Sequence, residues 1–307
     1  MTDQFIVSID VGTTSMAVCI GEVREDGGMK IVGAGRAPSD GIRKGVVVDI
    51  EEAAAAVREA AGEAERMAGA RIEGVCAGIA SPHIRCFNSR GVIPVEPTGR
   101  EVTRRDIDRV TATARDITLP ADREILHAIP QDYMVDRQTG IADPAGMSAA
   151  RLGAELHIVT GLRQPVEHFT KVIEKAGYEL INVVFDPLAA AEAVLREAER
   201  EAGCLLVDIG GGVTSFALFH GGCARASGVI PAGGQNITGD LAIGLRVPTA
   251  TAEALKLERG VALASMAPAE EEIELPPEAG SGMTVRTQIV AAIVEPRCEE
   301  IFDMVKE

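Results

Sequence analysis

Two stretches share one pattern that decides the fold: IVSIDVGTTS at residues 6–15 and LLVDIGGGVTS at residues 205–215. Each is an apolar run followed by an acidic residue and a glycine-rich turn with hydroxyl side chains, and apolar residues resume at 16–20 and 216–219. This order predicts a β-hairpin rather than a strand that leads into a helix. It excludes the GxxxxGK loop and the GxGxxG turn, because both need a helix directly after the glycines.

The residues of these turns suit the binding of a phosphate and a metal ion. Glycine lets backbone N–H groups approach a phosphate, and hydroxyl side chains add donors. A carboxylate at the end of a strand, such as Asp10 or Asp208, can hold a hydrated magnesium ion (Mg2+). One such hairpin is a weak signal, but two copies predict two similar half-domains that face each other across a phosphate.

The composition narrows the class of protein. At 307 residues the chain can bury a sizeable core and form about two domains. Its formal net charge of −16 argues against nucleic-acid binding, since phosphate backbones attract basic surfaces. The cysteines are scattered without a CxxC pair and predict reduced core residues of a cytosolic protein. Neither a signal peptide nor a long apolar run typical of a membrane-spanning helix is evident.

Hydrophobic periodicity and turn residues predict alternating strands and helices. The helix that begins at Asp49 has Glu52 at the spacing of a capping box, and its alanine-rich face is expected to pack on the sheet. The predicted strands are 5–10, 15–23, 29–36, 72–80, 84–88, 91–95, 124–135, 151–159, 178–185 and 223–230. The predicted helices are 49–67, 103–117, 165–177, 186–203, 236–245, 249–259 and a last one from Thr284 to the C-terminus. Loops are predicted at 38–46 and 261–283, and the end of the chain within a helix suggests a truncated form.

Several motifs together resemble those of a known superfamily. The paired hairpins resemble the two phosphate loops of actin-like ATPases, and DPLAAA at 186–191 resembles the helix that connects their halves. Within that superfamily the chain is most similar to the bacterial cell-division family FtsA. The supporting stretches are GIRKG at 41–45, HAIPQDY at 127–133, DPAGM at 143–147, AEALK at 252–256 and IVEPR at 293–297.

The resemblance implies an α/β fold, namely the actin-like two-lobed ATPase fold with an inserted small α+β subdomain. Nucleotide is expected between the lobes. The expected subdomains are 1–83 with 166–190 as the first actin-like part, 84–165 as the insert, 191–240 as the second core part, and 241–307 as an incomplete outer part of the second lobe.

The resemblance also implies a partner-rich scaffold that binds ATP with Mg2+, associates with itself into filaments and holds FtsZ by its C-terminal tail. Later division proteins are expected to dock on the insert at 84–165. The family works in the cytoplasm, at the inner face of the cell membrane at the division site. Its membrane tether is a C-terminal amphipathic helix, and this chain is expected to stop before that helix and before the glycine pair behind the adenine.

The first group of predicted site residues surrounds the phosphates. Asp10 and Asp208 would coordinate Mg2+ through water, although each could instead only cap its own turn. The residues expected to cradle the phosphates are Gly12, Thr13, Thr14 and Ser15 in the first loop and Gly210, Gly211, Gly212, Val213 and Thr214 in the second. They could also be ordinary turn residues.

Asp186 is the candidate catalytic residue, because it could orient the attacking water. The alternative is a helix cap before Pro187. Many relatives have a lysine in place of Ser15 and an acid in place of Ser215, and the loss of a cation beside the terminal phosphates lowers transition-state stabilisation. We therefore expect ATP binding with slow or absent hydrolysis.

The remaining predicted residues lie in the second half of the chain. By family position Glu253 and Lys256 would touch ribose and adenine, and the alternative is a surface ion pair. Gly233, Gly234 and Asn236 open a helix whose N–H groups could face an anion. The expected contacts with the FtsZ tail are Glu295 and Arg297. The five histidines lack the spacing of metal ligands.

Two other functions remain open at this level. The first is a metabolic kinase of the same superfamily, which would need a substrate pocket with a catalytic base. The second is a nucleotide-free actin-like scaffold of a pilus or microcompartment system.

Overall fold

The computed structural model describes residues 5–268, 271–275 and 284–307, which form two compact units. The first unit contains the chain up to Asp208 together with Ser215–Val229. The second contains Ile209–Thr214 and Ile230–Glu307.

Strands dominate the first unit and helices the second. The strands are β1 (Phe5–Val11), β2 (Ser15–Val23), β3 (Met29–Pro38), β4 (Ile42–Arg43), β5 (Val46–Val47), β6 (Gly74–Ile79), β7 (Arg85–Pro94), β8 (Arg123–Val135), β9 (Gln138–Ile141), β10 (Arg151–Leu162), β11 (Glu179–Phe185), β12 (Cys204–Ile209), β13 (Thr214–His220), β14 (Cys223–Ile230), β15 (Glu272–Glu274) and β16 (Thr284–Arg286). The α-helices are α1 (Ile50–Ala68), α2 (Arg104–Arg115), α3 (Arg163–Ala176), α4 (Asp186–Val194), α5 (Glu197–Ala202), α6 (Gly234–Leu245), α7 (Thr249–Arg259) and α8 (Thr287–Lys306).

The first sheet has the strand order β11-β6-β1-β2-β3, with β1 antiparallel to β2 and parallel to β6. Helix α1 packs on it, as its alanine-rich face predicts. Two glycines of β3 permit this close approach: a Cβ at Gly33 would lie 2.4 Å from the Ala64 carbonyl oxygen, and one at Gly35 would lie 2.0 Å from that of Ala60. The alanines of α1 and the apolar residues of β1, β2 and β6 share one core.

The N-terminus of α1 forms only half of the predicted capping box. The Asp49 carboxylate accepts the N–H groups of Glu51 and Glu52 at 2.8 and 3.1 Å. The Asp49 N–H donates to the Gly41 carbonyl instead of to Glu52. This bond closes the short β4–β5 hairpin, which lies in a segment predicted to be a loop.

The insert is a four-stranded sheet of order β7-β10-β8-β9 with α2 packed against it. The predicted break between strands 84–88 and 91–95 is wrong, because β7 is continuous. Gly91 marks a close approach rather than a turn: a Cβ there would lie 2.4 Å from the Ala114 nitrogen of α2. Strand β9 was not predicted.

The predicted helix 186–203 is interrupted between α4 and α5, where Leu195 is extended. At this break, side chains make hydrogen bonds to backbone groups near the ends of the two helices. Arg200 donates to the Ala191 carbonyl oxygen at 2.9 Å, and the Glu199 carboxylate accepts the N–H of Arg196 at 2.8 Å. Arg200 also lies over the Phe219 ring.

The second unit is built mainly from α6, α7 and α8 around an aliphatic core. The last helix begins at Thr287 rather than Thr284, because residues 284–286 pair with β15. The Thr287 N–H donates to the Glu271 carbonyl at 3.0 Å. The predicted loop 261–283 contains β15 and a short 3-10 turn, and residues 269–270 and 276–283 lie outside the described part. Among the described residues no helix is long and apolar enough to span a membrane.

Candidate functional site

Three carboxylates line one cavity of about 300 Å³ in the first unit, here called the acidic cavity. Asp10 lies near the end of β1, Asp208 near the end of β12, and Asp186 is the first residue of α4. The structure therefore brings together the two predicted metal ligands and the predicted catalytic residue.

Strand register explains how Asp10 and Asp186 meet. Asp10 pairs with Gly78 on β6 and with Ala17 on β2, and Ala17 pairs with Arg36 on β3. Paired residues of adjacent strands project to the same face of a sheet. Gly78 leaves room for Asp186, since a Cβ at Gly78 would lie 2.3 Å from the Asp186 Oδ1 atom.

The acidic cavity concentrates negative charge. Burial raises the pKa of Asp186 well above its ordinary value, and the charges of Asp10 and Asp208 raise it further. Burial also raises the pKa of Asp10, as does Asp208, whereas the Arg36 cation lowers it. The pKa of Asp208 is raised by burial. The charged form of each of the three carboxyl groups is therefore less favourable than that of a free carboxyl group.

The carboxylates fit a hydrated cation better than a directly ligated one. Among the described residues no group of three His, Cys, Asp or Glu side chains is arranged to hold a metal ion directly. Magnesium dehydrates reluctantly and usually keeps several waters, with one or two carboxylates and phosphate oxygens around it. The donor set and the free volume beside Gly78 suit such an ion.

The two glycine-rich loops make the same turn. The Gly12 N–H donates to the Ser15 carbonyl at 3.1 Å, and the Gly210 N–H donates to the Val213 carbonyl at 2.9 Å. Both amides close the turns, and the role of Gly12 and Gly210 in phosphate binding stays a prediction. The amides of Thr13, Thr14, Gly211 and Gly212 donate no hydrogen bond to another described residue, so they are available as donors.

Several predicted hydroxyl donors instead hold the loops in place. The Thr13 hydroxyl accepts the N–H of Gly45 at 3.0 Å, which ties the first loop to the β4–β5 hairpin. The buried Thr214 hydroxyl donates to the Ala232 carbonyl at 2.8 Å. The Ser15 hydroxyl accepts from Arg36 Nη2 at 3.1 Å.

The second unit contains a separate group, here called the glycine cluster. It comprises Gly210, Gly211, Gly233, Gly234, Asn236, Thr238, Glu253 and Lys256. The Gly234 N–H donates to the Gly210 carbonyl at 2.9 Å. A Cβ at Gly233 would lie 2.5 Å from the same carbonyl oxygen, so only glycine fits there. The Asn236 side chain accepts the Gly233 N–H at 3.0 Å and fixes the start of α6.

Lys256 connects the helices of the glycine cluster. Its ammonium group donates to the Gly234 carbonyl at 3.2 Å, to Thr238 Oγ1 at 3.0 Å and to the Glu253 carboxylate at 2.7 Å. Thr238 also donates to Glu253. Burial alone would raise the pKa of Glu253, but the hydrogen bonds from Lys256 and Thr238 lower it. The pair is thus part of an internal network and not only a surface ion pair.

Comparison with known proteins agrees with the motifs. A family model described as "SHS2 domain inserted in FTSA" matches residues 81–160, and one described as "Cell division protein FtsA" matches residues 205–291. The cell division protein FtsA of Pseudomonas aeruginosa is 41% identical over 304 residues, covering 99% of this chain and 72% of that protein. That of Neisseria meningitidis is 42% identical over 303 residues, covering 98% and 73%.

The chain belongs to the FtsA family of cell-division proteins. Solved structures of low identity share its fold. A PilM–PilN type IV pilus biogenesis complex aligns with a TM-score of 0.67 at 14% identity, over 98% of this chain and 75% of that chain. MreB5 of Spiroplasma citri bound to ADP aligns with a TM-score of 0.53 at 14% identity, over 99% and 78%. The expected actin-like α/β fold with an inserted subdomain is confirmed.

The residues expected to touch an FtsZ tail in this FtsA-family chain make internal contacts. Arg297 donates to the Asp240 carboxylate at 2.7 and 3.1 Å and also pairs with Glu300. The Glu295 carboxylate accepts the N–H of Ala264 at 3.3 Å. Both residues lie within the continuous helix α8, so Pro296 does not end it.

Sequence reasoning missed three residues that shape the site of this FtsA-family chain. Gly78 pairs with Asp10, Arg36 lies in the same cross-strand row beyond Ala17, and Thr238 bridges Glu253 and Lys256. A glycine inside an apolar strand run was the available signal for Gly78, since such a glycine often marks a close approach. The other two depend on strand register and helix packing.

Three histidines of the first unit make hydrogen bonds to other parts of that unit. His127 accepts the N–H of Phe185 at 3.0 Å, and His83 accepts that of Leu162 at 3.2 Å. His157 is buried between Asn88 and Ser227, and burial lowers its pKa to about 4.

Proposed function

We propose that this FtsA-family chain binds ATP with a hydrated Mg2+ ion and uses the nucleotide as a conformational ligand in cell division. The observation that carries the proposal is the convergence of Asp10, Asp186 and Asp208 on one cavity. The identical turns of the two glycine-rich loops support it, because each presents free backbone amides suited to phosphate oxygens.

In this proposal Asp10 and Asp208 would hold the ion through its water ligands, and the ion would supply positive charge to the phosphates. The free amides of Thr13, Thr14, Gly211 and Gly212 donate to phosphate oxygens. Gly233, Gly234 and Asn236 shape the second loop from behind, and Glu253 and Lys256 contact the nucleoside.

Asp186 is the proposed orienting group for water, and its raised pKa suits a proton acceptor. We propose that hydrolysis is nevertheless slow or absent. Neither residues 10–15 nor residues 208–215 include a lysine or arginine, so the loops themselves offer no cation to the charge that develops at the terminal phosphate.

The cellular role that we propose is that of a self-associating adaptor. It binds the C-terminal tail of FtsZ near Glu295 and Arg297 and recruits later division proteins through residues 84–165. It acts in the cytoplasm at the inner face of the membrane. The family identity supports this role, and the match of residues 81–160 to the inserted SHS2 domain supports a separate docking module.

A titration of the purified chain with fluorescent ATP, with and without Mg2+, tests the proposal. We expect saturable binding that Mg2+ strengthens and a phosphate-release rate below about 1 per second, the low end of ordinary enzymes. A nucleotide-free scaffold would show no saturable binding. A metabolic kinase would release ADP rapidly with a small alcohol or acid, and either result would contradict the proposal.

A further inference from the structure

A basic residue outside the two glycine-rich loops, Arg36, lies near the acidic cavity. Arg36 lies on β3, in the same cross-strand row as Asp10 and Ala17. Because Ala17 carries only a methyl group, nothing bulky stands between Asp10 and Arg36 in this row. The Arg36 side chain reaches the first loop, where Nη2 donates to the Ser15 hydroxyl at 3.1 Å.

The Arg36 guanidinium is held by a hydrogen bond, but its charge is not paired with a carboxylate among the described residues. Its backbone N–H is fixed by the Glu63 carboxylate at 2.9 Å, whereas its guanidinium makes no ion pair with a carboxylate among the described residues. A guanidinium carries five N–H donors, and one of them is used by Ser15. The remaining donors are open to solvent beside the loop, since Arg36 is exposed.

The charge of Arg36 lies beside the acidic cavity, in the same cross-strand row as Asp10. A site that holds only carboxylates would repel a polyphosphate until Mg2+ entered. A guanidinium beside the first loop removes part of that repulsion and offers planar, paired donors that match two phosphate oxygens.

We propose that Arg36 is a phosphate-binding residue of this chain and that its guanidinium contacts the outer phosphates of the bound nucleotide. Ser15 orients the guanidinium toward the loop. This inference rests on the proposed ATP binding and assigns Arg36 a role in binding phosphate, not in hydrolysis. Because adenosine has no phosphate, the contact strengthens the binding of ATP and ADP but not of adenosine.

The test compares Arg36→Ala and Arg36→Gln with the control Arg24→Ala in titrations with ATP, ADP and adenosine at fixed Mg2+. Arg24 is an exposed arginine that follows β2, so Arg24→Ala removes the same charge as Arg36→Ala. We expect Arg36→Ala to weaken ATP binding by about tenfold, ADP binding by less and adenosine binding by less than twofold. Circular dichroism establishes that each variant is folded.

A double variant that moves the positive charge to another position sharpens the test. In the Arg36→Ala background, Ser15→Lys returns a cation to the first loop, and we expect it to restore most of the ATP affinity. If wild type binds no ATP, the proposed function fails. If wild type binds ATP but Arg36→Ala and Arg36→Gln behave as Arg24→Ala does, only the role of Arg36 is overturned. Equal weakening of ATP and adenosine would show a purely structural role and would also overturn it.

Discussion

The acidic cavity of the first unit and the glycine cluster of the second differ in how their charges are balanced. In the acidic cavity Asp10, Asp186 and Asp208 face one another, and each has a raised pKa. In the glycine cluster the Glu253 carboxylate is paired with Lys256 and Thr238, and its pKa is lowered.

The difference indicates two tasks. Neighbouring charges of the same sign lower the stability of the folded state when no opposite charge balances them. Such groups are typical of sites that bind a ligand of opposite charge. A satisfied hydrogen-bond network instead rigidifies the backbone it holds, here the Gly234 carbonyl and the start of α6. We infer that the acidic cavity receives the cation, whereas the glycine cluster presents a preformed loop.

The largest expected effect comes from filling the acidic cavity. A Gly78→Val side chain would collide with the Asp186 carboxylate, since even a Cβ would lie 2.3 Å from Oδ1. We expect ATP binding to fall below detection in a fluorescence titration and the free energy of unfolding to fall by about 1–3 kcal/mol.

Gly62→Ala is the control for this substitution. Gly62 lies within α1, and a Cβ there meets no atom of a described residue within 4 Å. We expect normal ATP affinity and a gain of about 0.5–1 kcal/mol in unfolding free energy, because alanine is the better helix former. Normal ATP affinity in Gly78→Val would show that the acidic cavity does not take part in nucleotide binding.

A smaller effect is expected in the glycine cluster. Gly233→Ala would place a Cβ 2.5 Å from the Gly210 carbonyl oxygen and 2.8 Å from that of Gly211, so the second loop must shift. We expect ATP affinity to fall by about tenfold with a loss of about 1–3 kcal/mol in stability. The control is Gly239→Ala within α6, where a Cβ meets no atom of the described residues within 4 Å. Equal affinities of the two variants would show that the second loop does not bind nucleotide.

The smallest expected effect concerns the pH dependence of the glycine cluster. Because the pKa of Glu253 is lowered on folding, its contribution to stability is present above the ordinary value of 4.5 and is lost as the pH falls through the folded value. Glu253→Gln should therefore reduce stability by a few tenths of a kcal/mol at pH 7 and by less in acid. Urea unfolding at pH 7 and pH 3.5 measures both values.

Glu258→Gln removes a charge from an exposed position of the same helix and is the matched control. If both variants lose the same stability at both pH values, the network around Glu253 contributes nothing specific.

Local patterns in the sequence predicted the parts of the site that depend on neighbouring residues. The apolar runs before and after the two glycine-rich turns predicted both hairpins, and the Asp-Pro pair at 186–187 predicted the start of α4. The position of Gly260 after α7 likewise predicted the end of that helix. Each of these features is fixed within a few residues of the chain.

The parts that sequence reasoning missed are set by contacts between distant segments. A break was predicted between residues 88 and 91, whereas the residue that Gly91 approaches, Ala114, lies more than twenty residues later in the chain. Arg36 became a site residue only through the pairing of β2 with β3. The interruption between α4 and α5 depends on Arg200 and Phe219, which pack together across the unit.

The Mg2+ dependence of ATP binding in wild type and in Asp208→Asn tests the central claim most directly. Fluorescent ATP is titrated into each protein over a range of Mg2+ concentrations. We predict that Mg2+ strengthens ATP binding to wild type by about tenfold or more, and that Asp208→Asn loses most of this gain while it remains folded. The same Mg2+ dependence in both proteins would contradict a magnesium site built on Asp10 and Asp208.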